Sequence, residues 1–336
     1  MTKRVLLSGG SGFIAAHVLD ILLSRGYSVV TTVRSQEKAD KIAKAHPTYG
    51  KDKLDFAIVE DIAQEGAFDE AVKSDPPFEA VIHTASPFHF NVTDVKKQLL
   101  DPAIIGTTGI LRSIKKSAPT VKRVVITSSF AAILDAYDIP KVGHTYSEAD
   151  WDPITEKDAL QDPRWGYRAS KTFAERAAWD FVEKEKPNFD LATINPPLVI
   201  GPIVHYLNSL SSLNTSNETV RDMIQGKFKD GLPPTANPMW IDVRDTAEAH
   251  VNALEKPNFG GKRCYFTAGY TSHREIADII IKNFPEYAGV IPKTGGEMVE
   301  FAGYNNTRAK ELLGHEFISI EKSIVDLVKS LKEVGA

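Results

Sequence analysis

The sequence predicts an α/β protein whose core is a doubly wound parallel sheet, followed by a smaller C-terminal lobe. Short strands rich in β-branched residues alternate with helical stretches along the first part of the chain. Such alternation is typical of a parallel sheet with helices on both faces. After Pro196 the composition changes, since residues 201–238 are rich in Asn, Ser, Gly and Pro and contain one convincing helix, at 218–226. That change indicates the smaller lobe.

The individual elements follow from local composition. Apolar and β-branched runs predict strands at residues 5–7, 28–33, 54–59, 79–83, 123–127 and 191–194. Helical stretches lie between the strands, and the two most pronounced cover residues 95–118 and 165–186.

A glycine-rich turn, residues 8–12 with the sequence SGGSG, joins the first strand to the first helix. Its glycines let the backbone turn tightly and approach a diphosphate, and the next helix points its N-terminal N–H groups at that anion. A strand precedes the turn and an amphipathic helix follows it, so we expect a dinucleotide site rather than an ordinary turn. The expected contacts are Gly9, Ser11, Gly12, Phe13 and Ile14.

The residues after the second strand predict which dinucleotide binds. That strand ends at Arg34, where an NAD enzyme usually places a carboxylate on the ribose 2′-hydroxyl. Arg34 and Lys38 are instead placed to meet a 2′-phosphate, for which the arginine fork is well suited. The alternative is a solvated basic start of a helix. We expect NADP, supplied as NADPH.

Composition limits the possible partners and the compartment. The 336 residues are 42% hydrophobic and 25% charged with a formal net charge of −4, which gives no electrostatic reason to expect nucleic acid or an anionic membrane. The single cysteine, Cys264, excludes an internal disulfide and fits a reducing compartment. The nine histidines show no metal-ligand spacing. We expect a cytoplasmic protein, a monomer or homodimer, with no metal and no membrane span.

Two groups of side chains could perform chemistry. Tyr167 and Lys171 stand four apart in the predicted helix and share one face. The ammonium should lower the pKa of Tyr167, which could then protonate a carbonyl oxygen as hydride reaches the carbon. Ser128 and Ser129 follow the strand at 123–127, where a serine either polarises a carbonyl or caps a helix.

The order of these motifs resembles the extended form of the short-chain dehydrogenase/reductase superfamily, which has a Rossmann-type fold. By that resemblance Ser129, Tyr167 and Lys171 are the catalytic residues, and Lys171 also holds the nicotinamide ribose. The expected reaction is hydride transfer from NADPH to an aldehyde or ketone. Further cofactor contacts implied by the resemblance are Asp61, Ile62, Thr84, Ala85, Ser86, Thr127, Tyr167, Lys171, Pro196, Pro197, Leu198 and Val199.

Within the superfamily, three features resemble the dihydroflavonol reductase group and its fungal NADPH-dependent ketoreductases. They are the sequence FIA at 13–15, the run HTASPF at 83–88 and Trp179. One departure is Ile105, because relatives usually carry asparagine there, and an asparagine on this helix can hold a water in a proton relay to the lysine.

The resemblance also implies a division of the chain. Residues 1–198 would bind NADP, with 238–256 returning to that domain, and residues 199–237 and 257–336 would mainly form the smaller substrate-binding lobe. We expect the substrate to be a small hydrophobic carbonyl compound, because aromatic side chains could line an apolar wall beside Ser129. The candidates are Phe88, Phe90, Phe130, Tyr206 and Trp240, each of which could instead be a core residue.

Two other functions remain open from the sequence. One is an NAD(P)-linked epimerase, dehydratase or hydroxysteroid dehydrogenase of the same fold, although Arg34 speaks against a preference for NAD. The other is a non-catalytic redox sensor that binds NADP, which would not need the Ser129, Tyr167 and Lys171 set.

Overall fold

The computed structural model describes residues 3–86, 92–204, 210 and 213–335. In chain order the strands are β1 (Arg4–Ser8), β2 (Ser28–Val33), β3 (Leu54–Ile58), β4 (Ala80–His83), β5 (Arg123–Thr127), β6 (Thr145–Tyr146), β7 (Asp190–Asn195), β8 (Leu198–Ile200), β9 (Met239–Asp242), β10 (Lys262–Tyr265), β11 (Gly269–Tyr270) and β12 (Gly303–Tyr304). The α-helices are α1 (Phe13–Ser24), α2 (Gln36–Ala45), α3 (Asp101–Ser117), α4 (Glu156–Ala159), α5 (Pro163–Glu185), α6 (Thr215–Ile224), α7 (Val243–Glu255), α8 (His273–Asn283), α9 (Thr307–Leu313) and α10 (Ile320–Glu333).

A seven-stranded sheet forms the larger part of the molecule, in the order β10-β7-β5-β4-β1-β2-β3. Every neighbouring pair in it is parallel. From β1 the chain first adds strands on one side and then, from β4 onwards, on the other, so the sheet is doubly wound. The predicted Rossmann-type α/β fold is confirmed.

Helices cover both faces of this sheet, which explains why its strands read as continuous apolar runs. Val5 and Leu7 of β1 face a core that includes residues of α1 and α7. Leu6, between them, faces the other core, which includes residues of α3 and α5. Alternate side chains of one strand therefore enter two different cores.

The smaller lobe is built on a three-stranded sheet in the order β11-β9-β8. Its core includes residues of α6, α8 and α10. The convincing helix expected at 218–226 corresponds to α6. No helix in the described parts of the chain is both long and apolar enough to cross a lipid bilayer.

Two segments of the range 257–336 pack with the large sheet. Strand β10 pairs with β7 at the edge of that sheet, and α9 contributes Ala309 and Leu312 to the core on the α1 side. Our sequence analysis placed this range mainly in the smaller lobe, and these two segments are exceptions within it. The exact division of the chain stays a prediction. The arrangement leaves a cleft between the carboxyl ends of the parallel strands and the smaller lobe.

Candidate active site

The cleft has a volume of about 660 Å³ and lies where β1, β4, β5 and β7 end. In a doubly wound sheet this edge is the usual place for a ligand. The described residues that line it are Gly12, Phe13, Ile14, Ala15, Thr84, Ser86, Thr127, Ser128, Ser129, Phe130, Ala131, Leu134, Arg164, Tyr167, Arg168, Lys171, Pro196, Pro197, Leu198, Val199, Leu213, Asn214, Thr215, Ser216 and Asn237. Most of the predicted cofactor and catalytic residues therefore share one cleft.

The glycine-rich turn requires glycine because larger residues would collide with its surroundings. Gly9 has a φ of +76°, and a Cβ there would come within 3.0–3.1 Å of Ala85. Gly12 adopts an extended conformation as the N-cap of α1, and its N–H donates to the Gly9 carbonyl at 2.8 Å. The turn thus lies close against the residues after β4 and leaves the start of α1 open to the cleft.

The segment after β4 is fixed by the hydroxyl of Ser8, which accepts the N–H groups of Thr84 and Ala85, both at 3.1 Å. The same hydroxyl lies 2.8 Å from Nδ1 of His83. Burial, aided by the charge of Lys171, lowers the pKa of His83 to about 3, so the imidazole is neutral. With its lone pairs occupied, the Ser8 hydroxyl donates to Nδ1. These bonds hold Ala85 beneath the glycine-rich turn.

Ser129, Tyr167 and Lys171 come together in the cleft. Tyr167 hydrogen-bonds through its side chain with Ser129. Nζ of Lys171 lies 5.6 Å from the centre of the Tyr167 ring and donates to the Ser86 hydroxyl at 2.7 Å. The predicted catalytic residues are therefore neighbours, and Ser86 joins them from the segment after β4.

The pKa of Tyr167 differs from our expectation. Burial raises it above its ordinary value, and the hydrogen bond to Ser129 offsets that rise only in part. The expected lowering by Lys171 is not found in this arrangement, in which Nζ bonds to Ser86. Burial lowers the pKa of Lys171 to about 8, so its amine is still mostly protonated at pH 7. Tyr167 is consequently a neutral hydroxyl with a proton to give.

The two serines after β5 have different surroundings. Ser129 caps the short turn at Phe130–Ala132, accepting the N–H of Ala131 at 3.1 Å, and it also contacts Tyr167. Ser128 instead donates to the buried carboxylate of Glu175 at 2.5 Å. The two roles considered for a serine here, capping and facing the cleft, thus coincide in Ser129. The Ser128 hydroxyl is held by a buried carboxylate instead.

Glu175 is the centre of a buried polar network that joins α5 to β7, to β10 and to the residue after β5. The side-chain donors to its two oxygens are Ser128 (2.5 Å), Asn195 (2.6 Å), Arg263 (2.7 Å), Thr193 (3.0 Å) and Trp179 (3.2 Å). Asn195 also donates to the backbone carbonyl of Ser129 at 3.2 Å. The network therefore fixes the backbone on both sides of the Ser129 hydroxyl.

Thr127 lines the cleft, and its hydroxyl lies 2.6 Å from Nε2 of His250. Nδ1 of His250 faces the carbonyl of Thr246 at 2.7 Å. Since a carbonyl can only accept, Nδ1 carries the proton and Nε2 accepts from Thr127. Burial lowers the pKa of His250 to about 4, in keeping with a neutral structural histidine.

The basic residues expected near a 2′-phosphate lie after β2. Arg34 is exposed just before α2, and Lys38 is half-buried in the first turn of that helix. Hydrogen bonds from Gln64 and from the backbone of Ala63 lower the pKa of Asp61 most. The charge of Arg34 lowers it further. Arg34 and Asp61 are thus close in space, at neighbouring strand ends.

Ile62, the residue after Asp61, packs against α3. A Cβ at Gly106 would meet its side chain at 3.1 Å. Ser11, in the glycine-rich turn, is exposed.

Only two residues of the predicted aromatic wall lie in the described parts of the chain. Phe88, Phe90 and Tyr206 lie outside the described residues. Phe130 borders the cleft, but its ring is 1% exposed and stacks on Tyr265 at 4.8 Å between ring centres. Trp240 is buried in the core of the smaller lobe and is absent from the described lining, which corrects our expectation for it. Its position on the central strand of the lobe sheet explains that burial.

The sequence reasoning missed several residues that line the cleft. They are Ala131, Leu134, Arg164, Arg168, Leu213, Asn214, Thr215, Ser216 and Asn237. Helical spacing could have indicated two of them, because Arg164 and Arg168 share a face of α5 with Tyr167 and Lys171. The lobe residues lie at the start of α6 and just before β9, and they carry no pattern that would have pointed to the cleft.

Comparisons with known proteins show the family of this chain. The profile described as "NAD dependent epimerase/dehydratase family" matches residues 5–269. Ketoreductase azaE of Aspergillus niger is 47% identical over 337 residues, covering 99% of this chain and 98% of the relative. Yeast methylglyoxal/isovaleraldehyde reductase Gre2, solved in complex with NADPH, has a TM-score of 0.90 at 36% identity over 99% of both chains. Vestitone reductase from alfalfa has a TM-score of 0.75 at 26% identity, again over 99% of both chains.

Proposed function

Because the chain belongs to the NAD dependent epimerase/dehydratase family, we propose that it reduces an aldehyde or a ketone to an alcohol with NADPH. The resemblance to extended short-chain dehydrogenases/reductases and their fungal ketoreductases is confirmed by the matches above. The observation that carries the proposal is the contact between Tyr167 and Ser129, with Lys171 one helical turn away. These groups share their cleft with the start of α1, after the glycine-rich turn.

The residues of the cleft fit NADPH. The left-handed Gly9 and the open start of α1 suit the diphosphate, and Arg34 with Lys38 would hold the 2′-phosphate. The segment 196–199 lies on the cleft beside Ser129 and would pass the nicotinamide. The yeast relative binds NADPH in a structure with the same fold.

The side chains divide the remaining work. When bound, NADPH supplies the hydride that reaches the carbonyl carbon. The Ser129 hydroxyl donates a hydrogen bond to the carbonyl oxygen and polarises it. Tyr167, neutral at pH 7 because burial raises its pKa, gives its proton to the same oxygen. The products are the alcohol and NADP⁺, and solvent returns a proton to the Tyr167 phenolate. Lys171, which donates to Ser86 in the described structure, would hold the nicotinamide ribose.

The substrate side of the cleft supports a carbonyl compound with an apolar portion. Leu134 and Leu213 line it together with Ala131 and the edge of Phe130. The oligomeric state, a monomer or a homodimer, and the cytoplasmic location stay predictions.

Replacement of the proton donor tests the proposal. We expect Tyr167→Phe to lower kcat for NADPH-dependent aldehyde reduction by at least about 100-fold, because general acid catalysis is lost. Binding of NADPH, followed by its fluorescence, should change by no more than about threefold, because the ring is retained. The matched control is Tyr270→Phe, whose hydroxyl donates to the Ala302 carbonyl away from the cleft. Turnover retained in Tyr167→Phe would exclude Tyr167 as the acid.

A further inference from the structure

We propose that Arg168, together with Arg164, binds an anionic group of the substrate, so that the preferred substrates are carbonyl compounds that also carry a carboxylate. This inference rests on the proposed reductase function and adds the substrate class. It begins with the cleft-facing side of α5. Arg164, Tyr167, Arg168 and Lys171 follow the i, i+3, i+4, i+7 spacing of one helical face, and all four line the cleft. The proton donor and both arginines are therefore presented to the same ligand.

The charges along the cleft favour an anion. Among the described lining residues, three side chains are cationic and none is acidic. Lys171 is engaged with Ser86, and the exposed Arg164 is paired with Asp162 at 2.7 Å. The half-buried guanidinium of Arg168 donates no hydrogen bond to any residue in the described parts of the chain. Its N–H groups remain available to a ligand.

The acidic group that faces Arg168 does not take up those donors. The charge of Asp152 acts on Arg168, but the two side chains do not hydrogen-bond. One oxygen of Asp152 accepts the N–H groups of Ala136 at 3.2 Å and Ile154 at 3.1 Å. Asp152 is buried and outside the described lining of the cleft. Asp152 balances part of the positive charge of Arg168 without accepting a hydrogen bond from it. The guanidinium donors therefore remain available to a ligand in the cleft.

Helix electrostatics make this placement costly without a ligand. Like charges four residues apart repel each other, and cations near a helix N-terminus oppose the helix dipole. Arg164 and Arg168 repel each other, and Arg164, in the first turn of α5, also opposes the dipole. Burial also disfavours the charged form of Arg168 and lowers its pKa. A bound carboxylate would offset all three effects, and a planar guanidinium can receive both of its oxygens.

A pair of aldehydes, one with a carboxylate and one with a methyl ester in its place, tests the inference. We compare 4-formylbenzoate with its methyl ester as substrates for NADPH-dependent reduction by the wild-type protein, Arg168→Met and Arg168→Lys. The wild type should prefer the acid in kcat/KM. In Arg168→Met the ratio of acid to ester should fall at least about tenfold, mainly through KM of the acid, because a charge-assisted hydrogen bond is lost. Arg168→Lys keeps the charge without the fork and should lie between.

Controls separate this inference from the proposed function. Arg112→Met, an exposed change on α3 away from the cleft lining, should leave the ratio of acid to ester as it is. An unchanged ratio in both Arg168 variants would overturn the inference. A rise in KM for NADPH without a change in the ratio of acid to ester would also overturn the inference, because Arg168 would then bind the cofactor. If the wild type reduces neither aldehyde nor any other carbonyl compound, the proposed function itself fails.

Discussion

The cleft has two walls that differ in how their polar groups are satisfied. The sheet wall, residues 127–129 and 195–199, is tied into the interior through Glu175 and His250. The outer wall, residues 164, 168 and 213–216, carries an arginine whose donors are free in the described structure. A buried hydrogen-bond network with all its polar groups paired holds one geometry, whereas unpaired hydrogen-bond donors in a cleft can bind a ligand. We infer from this comparison that the sheet wall fixes the position of Ser129 and that the outer wall selects the substrate.

The largest effect is expected on stability, from a substitution in the buried Glu175 network that holds the sheet wall. Glu175→Gln removes the charge opposite Arg263 and leaves too few acceptors for five donors. Removing one member of a buried ion pair typically costs about 3–5 kcal/mol, so we expect that loss in the free energy of unfolding, measured with denaturant. Glu185→Gln, which removes a surface ion pair with Lys115, is the control and should have no measurable effect. Equal effects of the two changes would contradict the account.

A buried carboxylate behind the outer wall should make stability depend on pH. Burial raises the pKa of Asp152 to about 6 from 3.8. The folded state then binds more protons than the unfolded state between those pH values, so the wild type loses about 3 kcal/mol of stability as pH rises through this range. Asp152→Asn lacks this loss, and its stability relative to the wild type should rise between pH 4 and pH 7.

Asp162 supplies the control for that pH series. Its pKa is about 2 because of the hydrogen bonds from Arg164, so it stays ionised above pH 4. Asp162→Asn should therefore differ from the wild type by a nearly constant amount between pH 5 and pH 7, where the unfolded carboxyl, with an ordinary pKa of 3.8, is ionised as well. A pH-independent effect of Asp152→Asn would show that Asp152 is not protonated on folding.

At the other end of the proposed cofactor site, Arg34→Ala should lower kcat/KM for NADPH by about 10- to 100-fold, since charge-assisted bonds to the 2′-phosphate are lost. The value for NADH should change little, and initial rates with both cofactors measure the difference. Equal losses for the two cofactors would exclude Arg34 as the 2′-phosphate ligand.

The smallest effect is expected from Ile105→Asn, which introduces the asparagine that the family resemblance leads us to expect at this position. We expect turnover within about tenfold of the wild type, or about 1.4 kcal/mol in the barrier. A much larger gain would show that the missing amide limits the rate.

The sequence predicted the large sheet well because its signals are local. Alternating strands and helices indicated the doubly wound order, and the spacing of Tyr167 and Lys171 placed both on one helical face. It could not distinguish Trp240 as a core residue from a pocket residue, since an aromatic ring suits both environments equally. The role of Glu175 depends on contacts between residues that are 18 to 88 positions apart, and no local pattern reports them.

The central claim, that hydride passes from NADPH to a carbonyl carbon, is tested most directly with deuterium. The wild-type protein is given methyl 4-formylbenzoate with NADPH deuterated at either the 4R or the 4S position, and both products are analysed by mass spectrometry and NMR. We predict that one of the two labels moves to the carbinol carbon of the alcohol and that the other stays on NADP⁺. Retention of both labels on the nicotinamide, with no labelled alcohol, would contradict the account.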